Sequence, residues 1–284
     1  MSCTTSCSLS APSRPFAVWT LLQVLVVAFA VLQAHAAYAD DATEIAKQAQ
    51  NPVASLISVP FQNNVNFGVG PESRVQNDLE IEPVIPLKLN DDWNLITRTV
   101  IPVVEQPTLA PGVGNVTGLG DIQPSFYLSP AIPGAVIWGI GPSFSFASAT
   151  DRSLGSGKDS AGLSAAALTI QGHWLVGLLI TDVVSFAGEK NRESVSQLLI
   201  EPFINYNFSH GWYLTSSPIV TANWKATSAN QWTVPVGGGG GKIFHVGHQA
   251  FNAIVQAFDD VSHPHEAGNW TLRLQISLLF PKSK

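Results

Sequence analysis

After residue 40, this sequence contains no uninterrupted apolar run of about 18 residues, the length from which a membrane-spanning helix is recognised. Charged residues nevertheless make up only 12% of the chain and hydrophobic residues 45%, whereas soluble domains carry about 25% charged residues. A chain so poor in charge would be hard to keep dispersed in water. Because only helices and closed β-barrels satisfy every backbone hydrogen bond in lipid, the composition predicts a barrel if the chain meets a bilayer.

Alternation of apolar and polar residues gives the second part of the fold prediction. Candidate strands of about 9–13 residues recur roughly every 20 residues, separated by clusters of Gly, Pro, Asn, Asp and Ser. In the last of them, every even position from Trp270 to Phe280 is apolar and most odd positions are polar, as in a strand between lipid and a lumen. The sequence therefore predicts an all-β fold, a transmembrane antiparallel β-barrel of about 12 strands, with 10 or 14 as alternatives.

The predicted strands cover residues 55–67, 74–87, 93–105, 120–128, 135–147, 161–171, 174–186, 193–208, 212–225, 232–238 with 242–246, 250–260 and 269–280. Several tryptophans lie at or near strand ends, where aromatic girdles meet lipid headgroups: Trp93, Trp174, Trp212, Trp224, Trp232 and Trp270. Prolines inside strand candidates fit less well, because proline removes a ladder hydrogen bond; they stand at positions 60, 83, 86, 102, 124, 142, 202, 218 and 235. A soluble β-sandwich is therefore the alternative fold.

Residues 1–39 are predicted to be a signal peptide. A single charge, Arg14, precedes an apolar stretch over about 16–32, and small-x-small triplets end at Ala39. These are the three parts of a secretory leader with cleavage near Ala39, and an uncleaved anchor is the alternative. Both cysteines, Cys3 and Cys7, lie in this leader, so the mature chain is expected to use neither thiol catalysis nor cysteine-bound zinc.

A short N-terminal segment, residues 40–52, is predicted to precede the barrel of residues 53–284. Residues 41–50 are rich in helix formers and end at an Asn-Pro pair, which indicates a helix in the periplasm or facing the lumen. The expected partners are outer-membrane lipid and the barrel-assembly machinery, which reads a C-terminal aromatic; here four residues follow Phe280. Lysine and arginine are dispersed in a chain of net charge −6, so we expect no nucleic-acid partner.

Several segments resemble a known protein family. They are Asn51-Pro52 followed by SVPFQNN at 58–64, PVIP at 83–86 with LNDDWNLITR at 89–98, GLGDI at 118–122 and, more weakly, residues 272–281. Together they resemble the outer-membrane β-barrel family named for the meta-pathway of phenol degradation, whose members are often labelled transporters. The resemblance is sharp over about residues 50–130. It implies a location in the bacterial outer membrane and uptake of hydrophobic or aromatic compounds, without identifying a ligand.

Polar residues on the faces opposite the apolar ones are the candidates for lining a lumen. They are Glu80, Glu82, Arg98, Asp121, Gln123, Gln197, Glu201, Asn205, Arg273 and Gln275. Acids and bases in a narrow lumen either line a selective path for small molecules or pair with one another and close it. The sequence therefore supports two hypotheses, a passive channel with an unknown small-molecule cargo and a closed structural or adhesion-type barrel.

A barrel hydrolase is the third hypothesis, and the sequence supports it least. His245 and His248 are three residues apart, and His263 and His265 are followed by Glu266, but a catalytic set or metal site needs side chains that converge. The five glycines at 237–241 lack the Gly-Lys-[Ser/Thr] continuation and helix of a phosphate loop. They are more typical of a bend or a close backbone approach. We expect no catalytic residue, no metal and no cofactor.

Overall fold

The computed structural model describes residues 39–107, 114–265 and 267–281. They form a closed antiparallel β-barrel of twelve strands preceded by one short helix, which confirms the predicted fold class. The first and last strands close the barrel by pairing from Ile57 opposite Phe280 to Phe67 opposite Trp270. In the part of the chain that is described, no helix is both long and apolar enough to cross a membrane. The predicted signal peptide lies outside the described residues, apart from Ala39.

Fifteen β-segments build the twelve strands. They are β1 Ile57–Val69, β2 Arg74–Ile81, β3 Val84–Lys88, β4 Trp93–Gln106, β5 Val116–Leu119, β6 Gln123–Pro130, β7 Ile137–Ser145, β8 Lys158–Gln171, β9 Trp174–Gly188, β10 Ser196–Asn207, β11 Trp212–Ser216, β12 Val220–Asn223, β13 Trp232–Val246, β14 Gln249–Ser262 and β15 Trp270–Phe280. Helix α1, Ala39–Ala49, precedes them. Each of the predicted strands overlaps one of the twelve, with shifted ends.

Three barrel strands are interrupted, and proline explains two of the breaks. Pro83 separates β2 from β3, and Pro218 separates β11 from β12, where the missing N–H ends the ladder. The third break, between β5 and β6, holds Asp121, whose neighbour Ile122 makes a single bridge to Phe146. At Pro235 the ladder between β13 and β14 shifts register instead of breaking. The alternation in the sequence predicts strands through these prolines without indicating which proline interrupts one.

The inward and outward faces follow the alternation in the sequence. In β15, Arg273, Ser277 and Leu279 are buried, whereas Ile276 and Phe280 are exposed. Large apolar residues are likewise exposed along β7 and β9, including Ile140 at 48%. Exposed apolar side chains around a barrel whose buried face is largely polar are typical of a barrel that contacts lipid.

The two ends of the barrel differ in the length of their connections. The end at which β1 begins and β15 ends has the shortest turns, residues 172–173 and 247–248, whereas the opposite end carries the longest loop, residues 146–157. Outer-membrane barrels have short periplasmic turns and long extracellular loops, so the first end is called periplasmic and the other extracellular. The six predicted girdle tryptophans lie at strand ends: Trp93, Trp174 and Trp212 on the periplasmic side, and Trp224, Trp232 and Trp270 on the extracellular side.

The glycine run continues β13 without interruption. All five glycines pair with β14, from Gly237 opposite Phe258 to Gly241 opposite Ile254. A Cβ atom added to Gly237 or Gly239 would overlap a backbone carbonyl oxygen of β14. Glycine here therefore allows a close backbone approach between neighbouring strands.

Candidate functional site in the barrel lumen

Four charged side chains form a belt across the barrel interior, between its two ends. They are Glu82, Arg98, Glu201 and Arg273. Its first ion pair joins neighbouring strands: Arg98 on β4 donates through Nη2 to Glu82 Oε2 at 2.9 Å. Glu82 lies in the break before Pro83 and is only 8% exposed. Glu201, on β10 across the lumen, interacts electrostatically with the guanidinium groups of both Arg98 and Arg273.

Arg273 on β15 bonds to the adjacent strand β1 and to the break between β11 and β12. Its Nε donates to Asn64 Oδ1 at 2.9 Å, and its Nη1 donates to the carbonyl oxygen of Ser217 at 2.9 Å. Asn64 in turn donates to Glu80 Oε2 at 3.3 Å, which also accepts a 2.7 Å bond from Gln62. Ser217 lies in the break between β11 and β12, so its carbonyl group is free of the ladder and accepts a charge-assisted bond instead.

Below this belt, on the periplasmic side, lies a cavity of about 150 Å³. We call it the periplasmic cavity. Its walls combine three charged belt residues, Glu82, Arg98 and Glu201, with apolar side chains and with most of the residues from Gln48 to Leu56 that precede β1. Five of the predicted lumen residues line it: Glu82, Arg98, Glu201, Asn205 and Gln275.

Three further cavities occupy the extracellular half of the interior. One of about 410 Å³, the arginine cavity, is lined by Arg273, Asp78 and Asp260. A second of about 480 Å³, the mouth cavity, includes Gln197 and His265. The third, of about 300 Å³, is lined by Asp78, Glu80, Asp121, Gln123 and Gln197 and by no Lys, Arg or His, and we call it the acidic cavity. Shared wall residues make the three neighbours, and Ile219 lines both the arginine cavity and the periplasmic cavity.

All ten predicted lumen residues line one of these four cavities, although contact with a solute stays a prediction. The cavity walls together carry six acids, Asp78, Glu80, Glu82, Asp121, Glu201 and Asp260, and two arginines, Arg98 and Arg273. Sequence reasoning missed Asp78 as a candidate site residue, although it shares a face with Glu80 and Glu82 in the alternation of that strand.

The N-terminal segment, predicted as residues 40–52, continues to Leu56 before β1 begins at Ile57. Its residues 42–56 pack across the periplasmic end of the barrel. Helix α1 buries Ala42, Ile45 and Ala46 in a cluster with four barrel residues, Tyr213, Ile243, Ala250 and Leu279. Gln50 and Asn207 exchange side-chain hydrogen bonds of 2.9 and 3.2 Å.

A few residues further, Val53 joins a second cluster on other strands: Val84, Ile96, Tyr127, Ala166, Leu168, Leu175, Leu179 and Phe203. The segment therefore contacts inward-facing residues from both sides of the lumen. The apolar spacing of Ala42, Ile45, Ala46 and Ala49 is an amphipathic signal that was present in the sequence. That spacing predicts a buried face without identifying the surface that covers it.

Asp121 accepts hydrogen bonds from the extracellular loop of residues 146–157. Its Oδ2 accepts from the backbone N–H of Ser156 at 2.6 Å and from the Ser156 hydroxyl at 2.7 Å, and its Oδ1 accepts from Ala149 at 3.3 Å. In the next loop, Arg192 donates to the carbonyl oxygens of Ser156 and Arg152, each at 2.9 Å, and to that of Gly155. Asp121 therefore holds the loop that covers part of the acidic cavity.

The same loop contains a local turn closed by Asp151. The backbone N–H and the hydroxyl of Ser153 each donate to Asp151 Oδ1 at 2.8 Å. These two hydrogen bonds favour the ionised carboxylate and hold the pKa of Asp151 below its ordinary value.

The histidines do not converge. His248 lies in the periplasmic turn at 247–248, whereas His265 lies in the loop between β14 and β15 at the extracellular end. His263 contacts the carbonyl oxygen of its neighbour Pro264 at 3.0 Å. Glu266 lies outside the described residues. Within the described ranges, no group of three or more His, Cys, Asp or Glu side chains could hold a metal ion.

No protein-family model matches the chain, and none of the curated proteins is similar enough in sequence to match it. Solved structures do match. An outer membrane channel from Pseudomonas putida F1 superposes with a TM-score of 0.59 at 15% identity, over 79% of this chain and 94% of that chain. The NanC porin superposes with a TM-score of 0.50 at 8% identity, over 80% of this chain and 100% of that chain. At these identities the likeness concerns the fold alone, and that fold is the outer-membrane β-barrel.

Proposed function

We propose that the chain is an outer-membrane channel that lets small solutes diffuse through its lumen. One observation carries the proposal: cavities lie on both sides of a charged belt inside a closed barrel, and Ile219 lines a cavity on each side. A barrel with a purely structural role needs no internal cavities of this kind. The fold shared with solved outer-membrane channels supports the same location for this chain.

In this proposal a solute enters the extracellular cavities, passes the belt of Glu82, Arg98 and Arg273, and reaches the periplasmic cavity. The N-terminal segment forms part of that cavity's wall, so release to the periplasm requires the segment to shift. The charged side chains of the belt select which solutes pass, as charged constrictions do in other channels. No step needs an energy source, because the solute moves down its own gradient.

Hydrophobic or aromatic compounds belong among the candidate cargoes. The family resemblance in the sequence implies them, and the periplasmic cavity offers apolar wall residues, Val84, Leu179 and Phe203, for a ring to contact. The acids and arginines of the belt lie beside those residues, so the lumen suits amphipathic solutes better than pure hydrocarbons.

Removal of helix α1 tests the proposal. We expect a variant lacking residues 41–50 to show a several-fold larger conductance in planar bilayers, and faster liposome swelling, than the full chain. The physical reason is that α1 covers the inner wall at the periplasmic end. Lys47→Gln serves as the matched control, because Lys47 pairs with the exposed Glu44 on the same helix at 3.0 Å, and this change should leave flux unaltered.

The closed structural barrel is the second candidate, and the tight packing of the N-terminal segment favours it. It predicts no flux from either the full chain or the shortened variant, at any solute size tested. Gel migration that changes on heating must show first that both proteins are folded barrels. Under that condition, absence of flux from both would refute the channel.

A further inference from the structure

The extracellular loop of residues 146–157 completes the barrel wall beside the third strand break. β5 pairs with β4 on one side. On its other side, Thr150 donates its backbone N–H to the carbonyl oxygen of Leu119 at 3.0 Å, and Thr150 Oγ1 accepts from the Leu119 N–H at 3.0 Å. At the break itself, Ile122 donates its N–H to Ser148 Oγ at 2.9 Å. The first half of the loop therefore supplies hydrogen bonds that a neighbouring strand would otherwise make.

The second half of the loop folds back to the lumen. Leu154 and Ser156 line the acidic cavity together with Asp78 and Glu80 of β2 and Gln197 of β10. Leu154 is only 9% exposed, although it belongs to a long extracellular loop. These two loop residues therefore form part of the lumen wall in the extracellular half of the barrel.

Two glycines of the barrel wall make room for Leu154. A Cβ atom on Gly118 would lie 2.9 Å from Leu154 Cδ1, and a Cβ atom on Gly120 would lie 3.2 Å from the Leu154 carbonyl oxygen. Gly120 also lies against Pro102, another residue that lines the acidic cavity. Both separations are shorter than ordinary van der Waals contact, so glycine here permits the close approach of the loop to the inner side of the wall.

Charged side chains hold the loop in this position from two directions. Asp121 Oδ2 accepts from the N–H and the hydroxyl of Ser156 at 2.6 and 2.7 Å. From the neighbouring loop, Arg192 donates to the carbonyl oxygens of Ser156 and Arg152, each at 2.9 Å. Hydrogen bonds with one charged partner are roughly twice as strong as neutral ones. The position of Leu154 is therefore fixed by a carboxylate on one side and a guanidinium group on the other.

We propose that the loop of residues 146–157 is the constriction in the extracellular half of the channel. In this proposal Leu154 limits the size of the solutes that are admitted, and Asp121 is the positioning residue that holds Leu154 against the wall. The side chain of Leu154 carries no hydrogen-bonding group, so it restricts passage by its volume, whereas the charged belt selects by charge. Size and charge are then selected at two levels of the lumen. This inference rests on the proposed channel function.

Liposome swelling with uncharged sugars tests the role of Leu154, with arabinose as the small probe and sucrose as the large one. We expect Leu154→Ala to raise the sucrose rate relative to the arabinose rate at least about twofold, because the shorter side chain leaves a wider passage. Leu163→Ala is the matched control. Leu163 is 64% exposed on β8, so its loss should leave the ratio unchanged. An unchanged ratio in a Leu154→Ala protein that still passes arabinose would overturn the constriction and leave the channel standing.

Cysteine labelling tests the role of Asp121 without depending on transport. Leu154→Cys adds one thiol to a chain whose own cysteines, Cys3 and Cys7, lie in the predicted leader. Its reaction with a membrane-impermeant maleimide reports how often the loop leaves the wall. Adding Asp121→Asn should speed labelling about tenfold, because an amide has one acceptor oxygen where the carboxylate has two.

Asp151→Asn, in the same Leu154→Cys chain, is the matched control for labelling. The Asp151 carboxylate also accepts from a serine N–H and hydroxyl, at 2.8 Å each, but that serine belongs to the same loop. Labelling should therefore stay within about twofold of the parent rate. Equal rates in the Asp121→Asn and Asp151→Asn proteins would show that Asp121 does not position the loop.

Gel migration that changes on heating must first show that each variant is a folded barrel. Under that condition, absence of arabinose swelling from both the full chain and the variant lacking residues 41–50 would refute the channel and the size-selecting role of Leu154 together. The labelling rates would still decide whether Asp121 holds the loop.

Discussion

At the scale of single residues, the alternation of apolar and polar residues predicts which face of the barrel wall a side chain points to. It does not predict which residue that side chain contacts. The polar face of β15 identifies Arg273 as inward-facing from the sequence alone. Its partner Ser217 lies 56 positions earlier in the chain, on a strand that is not adjacent to β15. That contact exists only because the barrel closes and because Pro218 interrupts the ladder beside Ser217. Neither the closure nor the register can be read from a period of two.

The buried belt pair and a surface pair give a prediction at this scale. Arg98 and Glu82 are paired with side-chain exposures of 21% and 11%, whereas Lys88 and Asp91 are paired at 63% and 95%. We expect Arg98→Gln to lower barrel stability by about 1–3 kcal/mol, because it leaves a buried carboxylate without its charged partner. Lys88→Gln should change stability by about 0.5 kcal/mol or less. Urea unfolding in liposomes measures both, and equal losses would contradict a structural role for the belt.

At the scale of elements, the twelve strands are predictable because each needs a long alternating segment. The three strand breaks are less predictable from the sequence, because proline is also tolerated within strands of this barrel, for example at Pro102 and Pro202. Whether a given proline breaks a strand depends on whether its missing N–H would face a neighbouring strand's acceptor. That is a property of the register, which forms only after the strands pair.

The glycine run in β13 gives a prediction for one element. A Cβ atom at Gly239 would overlap the carbonyl oxygen of Val255, whereas at Gly240 its nearest neighbour would be the Tyr213 carbonyl oxygen at 3.3 Å. Gly239→Ala should therefore force β13 and β14 apart and cost about 1–3 kcal/mol, and Gly240→Ala should cost clearly less. The temperature at which gel migration changes is the measurement. If the two variants behave alike, close strand approach is not the reason for the glycines.

At the scale of the whole molecule, the outer surface is the part that composition predicts best. Scarcity of charge and the absence of a long apolar run together point to a barrel in lipid, and the exposed apolar side chains agree with it. The location of the N-terminal segment could not be predicted in this way. A short amphipathic helix can bury its apolar face against many surfaces, and only the closed barrel determines which one is available.

A pair of isoleucines tests whether the outer face meets lipid. Ile140 is 48% exposed in the middle of β7, and Ile132 is 80% exposed in the connection before that strand. In a lipid-facing barrel, Ile140→Arg should cost about 2–4 kcal/mol, and Ile132→Arg close to nothing. Urea unfolding in liposomes gives the two values. A soluble protein would tolerate arginine at either exposed site, so equal stability of the two variants would argue against the membrane location.

The packing of helix α1 also constrains the order of assembly. The helix precedes all the strands in the chain. The barrel residues it covers, Tyr213, Ile243, Ala250 and Leu279, come from β11 to β15, which are synthesised last. The surface that the helix packs against does not exist until the C-terminal strands are in place. A helix made before every strand therefore reaches its native position only after the last strands have paired, and its docking reports that the wall behind it is complete.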